Sequence, residues 1–86
     1  MSATHLTEHW LQTVYQVVGQ ERLAFVSDIA QAIQQDETCR LADLHFETDG
    51  VQVRGRLTIR TLDARHLFDI PRRLRAVRGV VSVKKV

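Results

Sequence analysis

Two groups of side chains in this sequence have residue types that do chemistry in proteins. His5 and His9 have the i, i+4 spacing at which two imidazoles on one helical face bind zinc, but no third or fourth ligand accompanies them. Asp43, His45 and Glu47 alternate, so in a strand they would share one face as candidate acid–base groups. Carboxylates that lie opposite arginines on an open sheet usually form solvated cross-strand pairs. We therefore expect a solvated histidine pair, no metal site and no catalytic residues.

Composition sets the class of protein. Eighty-six residues make one small domain, without a glycine-rich phosphate loop or dinucleotide fingerprint, so we predict no cofactor. The single cysteine, Cys39, excludes an internal disulfide and fits a reducing compartment. No apolar run approaches the ~18–20 residues that span a bilayer, and the first residues lack the order of a signal peptide. We expect a cytoplasmic location and no membrane contact from this chain itself.

Charge is divided unevenly, although the net charge is only +2. Residues 1–50 contain two basic and eight acidic residues, a net charge of −6. Residues 51–86 contain ten basic and two acidic residues, a net charge of +8. This division either provides a basic surface for a partner such as RNA, or lets the two halves neutralise each other within the fold or across a dimer.

One hairpin organises the elements that position these charges. Asp49-Gly50 lies between two alternating runs and favours a two-residue type I′ turn, in which both residues have φ > 0. This turn predicts strands at 39–48 and 51–61, with inward pairs Phe46–Val53, Leu44–Gly55 and Ala42–Leu57. The pairs on the other face would be Glu47–Gln52, His45–Arg54 and Asp43–Arg56. Because Gly55 faces inward without a side chain, we expect a helix to pack closely against it.

The segment before the hairpin predicts a strand and a helix. Residues 11–19 are rich in β-branched residues and favour a central strand. Trp10 and Tyr15 could stack on bases or a ligand, but we interpret them as packing residues. An amphipathic helix over 23–35 follows from the apolar stripe Leu23, Val26, Ala30 and Ile33.

The segment after the hairpin predicts a second helix and a last strand. Asp63 is the expected N-cap, and the apolar stripe is Ala64, Leu67, Ile70, Leu74 and Val77. Pro71 cannot donate to the Leu67 carbonyl, which predicts either a kink or a helix that restarts near Ile70. Gly79 is expected to end the helix as its left-handed C′ residue, and 80–86 form the last strand.

The element order is strand, helix, strand, strand, helix, strand. Because crossovers within one sheet are right-handed, both helices fall on one face of the sheet. We predict an α+β fold, the ferredoxin-like βαββαβ sandwich with a four-stranded antiparallel sheet, over residues 10–86, with 1–9 as a flexible lead-in. The first and third strands would be central, the second and fourth would be edges, and the other sheet face would be open.

Two parts of the chain resemble the ACT domain, a small regulatory module of amino-acid-responsive proteins. Residues 17–29, Val-Val-Gly-Gln-Glu-Arg-Leu-Ala-Phe-Val-Ser-Asp-Ile, resemble the ACT opening, where a strand leads through an acidic-Arg-x-Gly turn to a helix with Asp-Ile. Residues 62–67 and 74–84, with their His-Leu helix and Gly-Val-Val-Ser-Val-Lys strand, are similar to the ending of the C-terminal ACT domain of RelA/SpoT-type (p)ppGpp synthetase/hydrolases. The resemblance extends over residues 12–86.

This resemblance implies a homodimeric, non-catalytic regulatory domain that acts through protein or ribosome contacts or by sensing a small ligand such as an amino acid. An ACT ligand would meet the first helix at a loop formed by Gln20, Glu21, Arg22, Leu23 and Ala24. Ala24 occupies the place where amino-acid-binding ACT domains usually have glycine, and Pro71 is unusual in the second helix. We therefore expect weak or no amino-acid binding, and a preference for an acidic protein or RNA through Arg72, Arg73, Arg75 and Arg78.

Two other functions stay open. The chain is also similar to the ACT-like soluble C-terminal domain of MgtC/SapB-type magnesium-related membrane proteins. A basic RNA-binding module shares the predicted topology, but it needs aromatic residues on its third strand for base stacking. The open face of this third strand offers Arg54, Arg56, Thr58 and Arg60 instead.

Overall fold

Four strands form one antiparallel sheet in the computed structural model, which describes residues 10–35, 37–62 and 64–86. The elements are β1 (Leu11–Gln20), α1 (Phe25–Gln34), β2 (Cys39–Thr48), β3 (Gln52–Thr61), α2 (His66–Arg75) and β4 (Val80–Lys85). The strand order is β2-β3-β1-β4, which confirms the predicted βαββαβ sandwich with β1 and β3 central. Some predictions concern residues outside the described ones, namely the N-cap Asp63 and the lead-in 1–9 with its two histidines.

The core lies between the sheet and the two helices. Alternate residues of β1 and β3 are buried, as the predicted inward faces require. The helices add Phe25, Ile29 and Ile33 from α1, and Ile70 and Leu74 from α2. The α1 stripe begins at Phe25 and not at Leu23, whose side chain is 93% exposed. Helix α1 therefore starts two residues later than predicted.

The hairpin register differs from the predicted register by two residues. Thr48 pairs with Val53, so residues 49–52 form a four-residue connection in place of a two-residue turn. Gly50 has a φ of 95°, but Asp49 is not in the left-handed region, so the predicted type I′ turn is wrong. A shift of two residues preserves side-chain alternation, and the inward and open faces therefore remain as predicted. The observed pairs are Phe46–Gly55 and Leu44–Leu57 inward, and His45–Arg56 and Glu47–Arg54 on the open face.

The side chain of Asp49 accounts for the wider loop. Its Oδ1 accepts the amide of Gln52 at 2.8 Å and that of Val51 at 2.9 Å. The hydroxyl of Thr48 accepts the Gly50 amide at 3.0 Å, so side chains satisfy three loop amides that a tight turn would orient differently. The amides of Gln52 and Val51 also hold the pKa of the Asp49 carboxyl below its ordinary value.

Strand β2 contains a bulge that the alternation pattern did not predict. Leu41 pairs with Ile59 and Asp43 pairs with Thr58, so Ala42 is the extra residue between them. Ala42 is exposed, which corrects its predicted inward position. Cys39 is buried at that end of the strand, with its sulfur 3.8 Å from the Thr61 hydroxyl.

Two glycines on the central strands make room for two aromatic rings. A Cβ on Gly55 would clash with the ring of Phe46, 2.5 Å away, and with the His45 carbonyl. The close neighbour of Gly55 is thus a ring on β2 and not the helix that was predicted. A Cβ on Gly19 would lie 2.5 Å from the ring of Phe25. The two rings meet edge to face, with centroids 6.2 Å apart.

Helix α2 continues through Pro71 because another group replaces the missing hydrogen-bond donor. The hydroxyl of Tyr15 donates to the Leu67 carbonyl at 3.2 Å, and this carbonyl would otherwise accept from residue 71. The helix runs from His66 to Arg75 and does not restart near Ile70. Burial, and secondarily Cys39, raises the pKa of Tyr15, which favours the neutral hydroxyl that donates this bond.

The end of α2 also differs from the prediction. The helix ends at Arg75 with Ala76 as its C-cap, so Gly79 is not its C′ residue. Gly79 has a φ of 96° in the turn that enters β4, where the Val80 amide donates to the Val77 carbonyl at 3.1 Å. Glycine is therefore needed there for a β-turn and not for a helix cap.

Replacing Tyr15 by phenylalanine should lower the free energy of unfolding by about 1 kcal/mol, because the Leu67 carbonyl loses its donor. Urea denaturation of the two proteins measures the difference. The matched background is Pro71→Ala, in which the new amide can bond to the same carbonyl. There Tyr15→Phe should cost clearly less, and an equal cost in both backgrounds would show that the hydroxyl does not compensate for the proline.

Candidate functional site

The loop Gln20–Ala24 joins β1 to α1 and is held by the turns on either side of it. The Gln20 amide donates to the Gly79 carbonyl at 2.9 Å, in the turn before β4. The Glu21 amide donates to the Val51 carbonyl at 2.9 Å, in the β2–β3 connection. The loop therefore lies where three connections of the fold meet at one end of the sheet.

Arg22 fixes the conformation of this loop. Its Nε donates to the Arg78 carbonyl at 2.9 Å, and its Nη1 donates to the Leu23 carbonyl at 2.9 Å. Its Nη2 donates to Asp28 Oδ2 at 2.8 Å, which is a charge-assisted bond to the first turn of α1. The guanidinium also lies over the ring of Phe25, 5.7 Å from the centroid. Arg22 is thus directed into the protein, and its side chain is only 25% exposed.

Ala24 adopts a backbone conformation that favours glycine. Its φ is 68° and its ψ is 12°, the left-handed region, which costs an L-residue about 1–2 kcal/mol. This explains why the ACT pattern has glycine at the corresponding place. Residues Ala24 to Asp28 begin α1, with the Asp28 amide donating to the Ala24 carbonyl at 2.9 Å and no side-chain hydrogen bond to cap the helix.

The surface of the loop offers few groups to a small polar ligand. A depression of about 380 Å³ runs along residues 21–27. It exposes the apolar side chain of Leu23 and the carboxylate of Glu21. Amides at a helix N-terminus suit a carboxylate, but Glu21 lines the same depression and adds a negative charge there. The depression thus presents an apolar side chain and a carboxylate, and neither is a hydrogen-bond donor for an anion.

The four arginines predicted as a partner surface, three in α2 and Arg78 after it, line different parts of the surface. Arg73 and Arg78 line a groove between the helices, together with Asp28 and Gln31 of α1. Arg75 lines a separate groove with Tyr15 and Lys85 on the β4 side of α2. Arg72 is exposed and lines neither groove. The backbone carbonyl of Arg78 also accepts the bond from Arg22. The loop Gln20–Ala24 is therefore in direct contact with Arg78.

The acidic and histidine side chains of β2 lie on the open face, as predicted. His45 Nε2 is 3.1 Å from Glu47 Oε2, and these side chains are 72% and 78% exposed. By register His45 lies opposite Arg56 and Glu47 lies opposite Arg54. Within residues 10–35, 37–62 and 64–86 there is no group of three His, Cys, Asp or Glu side chains that could hold a metal ion. Neither α1 nor α2 has the length and apolar character needed to cross a membrane.

Sequence reasoning missed two features of the functional surfaces. The bond from Arg22 to the Arg78 carbonyl joins residues 56 positions apart, and no local pattern reports such a contact. Trp10 lies on the open face with Arg40, whose guanidinium is 5.3 Å from the indole centroid. Trp10 precedes Gln12 by two residues and Gln16 by six, and side chains at such even spacing in a strand point to the same face. This spacing could have placed Trp10 on the open face.

The sheet, the two helices on one face and the strand order define a ferredoxin-like α+β domain. A family model of the ACT domain matches residues 8–84, and the chain therefore belongs to the ACT domain family. Domains of this family are generally regulatory and not catalytic. No curated protein matches the sequence.

Solved structures show the same fold. The crystal structure of the ACT domain from the GTP pyrophosphokinase of Chlorobium tepidum superposes with a TM-score of 0.77 at 17% identity, covering 90% of this chain and 99% of that one. A solution NMR structure of that domain gives 0.74 at 17% identity, with 91% and 88% covered. An uncharacterised protein of Thermotoga maritima gives 0.65 at 14% identity, with 90% and 95% covered. At these identities the likeness establishes the fold alone.

Ala24→Gly should raise the free energy of unfolding by about 1 kcal/mol, because relief of the left-handed penalty exceeds the added entropy of the unfolded chain. Chemical denaturation measures it. Ala32→Gly is the matched control inside α1, where the same change should lower stability by about 0.5–1 kcal/mol. If both variants lose stability, Ala24 is not strained and its φ is not the reason for glycine in the family pattern.

Proposed function

We propose that this chain is the non-catalytic regulatory ACT domain of a RelA/SpoT-type (p)ppGpp synthetase/hydrolase, and that it acts through contacts with protein or the ribosome. The observation that carries the proposal is the internal bonding of Arg22, which occupies the loop where an ACT ligand would meet α1. Because Arg22 uses its donors in bonds within the protein, few remain for a small ligand. We therefore expect the domain to act through contacts with macromolecules.

Three properties of the loop argue against a free amino acid as its ligand. An amino acid needs donors for its carboxylate, whereas Arg22 donates to Arg78, Leu23 and Asp28. Ala24 adds a methyl group where the family pattern has none. Glu21 is exposed in the same depression and would repel a carboxylate. Of the three residues only Ala24 departs from the ACT pattern, in which an acidic residue and an arginine also precede the helix.

Calorimetric titration of the complete chain with each of the standard amino acids should give no saturable heat. The reason is that binding would have to break the Arg22 bonds before a ligand carboxylate gained a donor. Ala24→Gly serves as the matched variant, because it restores the family residue without touching Arg22. Tight binding by the wild-type chain at residues 20–24 would contradict the proposal.

The identity of the parent protein rests on the C-terminal pattern. Residues 62–67 and 74–84 support an alarmone enzyme, and the fold likeness to a GTP pyrophosphokinase domain agrees with it. The alternatives are the soluble tail of a MgtC/SapB-type membrane protein and an independent RNA-binding module. Antibodies raised against this domain should precipitate, from its own cells, a polypeptide that transfers pyrophosphate from ATP to GTP. Precipitation of a membrane protein, or of a polypeptide without this activity, would contradict the assignment.

We also propose that Arg73 and Arg78, at the groove between the helices, contact an acidic segment of a partner or RNA. They line the same groove, whereas Arg75 lines the other groove and Arg72 lines neither. In the precipitated enzyme, Arg78→Gln should change the regulation of pyrophosphate transfer, and Arg72→Gln should not. Equal effects of the two substitutions would show that only net charge matters.

We further propose that the chain forms a homodimer through edge strand β4 and the groove between β4 and α2. Strand β4 is an edge, and the neighbouring groove of about 350 Å³ is lined by apolar groups that include Leu67, Pro71 and Val83. Phe68 also lines this groove, and its side chain is 80% exposed. Light scattering should give about twice the 9.9 kDa mass of one chain, and Phe68→Ser should reduce it to the monomer. A monomer at high concentration for the wild-type chain would rule out the dimer.

A further inference from the structure

The open face of the sheet, opposite the helices, carries a basic track that ends at an aromatic ring. We propose that this face binds single-stranded nucleic acid, with Trp10 as a stacking platform for a base and arginines as phosphate contacts. The inference goes beyond the proposed function, because it concerns another surface and does not depend on the identity of the parent protein.

The aromatic end of the track is a formed recess. A cavity of about 420 Å³ is lined by Trp10, Gln12, Arg40 and Arg60. Arg60 pairs by register with both Gln12 and Arg40, so these side chains form one row across three strands. Arg60 Nε donates to Gln12 Oε1 at 3.1 Å, and Arg40 lies against the indole. The indole ring, two guanidinium groups and the amide of Gln12 thus surround the same cavity.

The basic track continues along β3. Arg54, Arg56 and Arg60 are exposed on this face, and two-residue steps in a strand are about 7 Å apart, so the track is about 20 Å long. Gln16 of β1 pairs with Arg56 on one side and with Lys84 of β4 on the other, which extends the track across the sheet. Asp43 and Glu47 lie on β2, where they border the track on one side. Among the described residues, this face has five basic side chains, Arg40, Arg54, Arg56, Arg60 and Lys84, against the acidic Asp43 and Glu47, which gives it a net positive charge.

This chemistry fits a single strand better than an acidic protein. The bases of a single strand expose flat aromatic faces that stack on indole rings and guanidinium planes, and the phosphates follow the basic groups. An acidic peptide would use the arginines but would have no planar group to place against Trp10. A duplex keeps its bases stacked inside and likewise leaves the ring unused.

Fluorescence tests the proposal directly, because Trp10 is the only tryptophan in the chain. Titration of the complete chain with oligouridylate or oligothymidylate in low salt should quench this fluorescence and saturate. Trp10→Ala, followed by anisotropy of a labelled oligonucleotide, should weaken binding about tenfold. Trp10→Phe, which keeps a ring, should weaken it less.

Variants that remove positive charge distinguish binding at the basic track from attraction by the net charge of the protein. Arg56→Gln with Arg60→Gln should lower the log–log salt slope by about 1.4, about 0.7 for each phosphate contact to a single strand. Arg65→Gln with Arg72→Gln removes the same charge from α2 and the turn before it, and should keep the wild-type affinity. Circular dichroism melting verifies that each variant is folded.

Three results would overturn the proposal. The first is the absence of both quenching and anisotropy change in low salt. The second is an equal loss of affinity in the two double variants, which would show that net charge alone attracts the oligonucleotide. The third is competition by polyglutamate or duplex as effective as that by a single strand, which would indicate a site for an acidic protein or for any polyanion.

Discussion

The bond network of Arg22 is the constraint on which the functional end of this domain depends. One side chain joins the start of α1, through Asp28, to the turn before β4, through the Arg78 carbonyl. These two segments are distant in sequence, and their junction encloses the place where a ligand of an ACT domain would be expected. We propose that the contacts which stabilise the loop also reduce its capacity to bind a small anion.

Packing beneath the loop supports this arrangement. The ring of Phe25 lies against both the Arg22 guanidinium and Gly19, and it meets Phe46, which covers Gly55. A side chain at either glycine would displace a ring, and a displaced Phe25 would remove the surface on which the guanidinium rests. The geometry of the loop thus depends on two glycines of the central strands, one on β1 and one on β3.

Alternation and helical periodicity were enough to predict the element order and both faces of the sheet, because burial on one face repeats every second residue of a strand. They could not determine the hairpin register. The pattern is unchanged by a shift of two residues, and the choice was made by the hydrogen bonds of Asp49 to Val51 and Gln52. The bulge at Ala42 and the compensation of Pro71 by Tyr15 likewise depend on tertiary contacts that local sequence does not encode.

The family pattern located the candidate site in the sequence, but it did not reveal the contacts that its residues make. The pattern identified Arg22, Ala24 and Asp28 as a motif, and only the three-dimensional arrangement shows that the arginine and the aspartate form an ion pair. It also shows that the alanine occupies a left-handed position.

The most direct measurement is the exchange rate of the Arg22 Nε proton, observed in a nitrogen-15 correlation spectrum. This proton donates to the Arg78 carbonyl, so it should exchange far more slowly than that of the exposed Arg56, and added amino acids should leave its resonance unchanged. Exchange as fast as that of Arg56, or displacement of the resonance by an amino acid, would show that the loop is open to a ligand and would contradict this account.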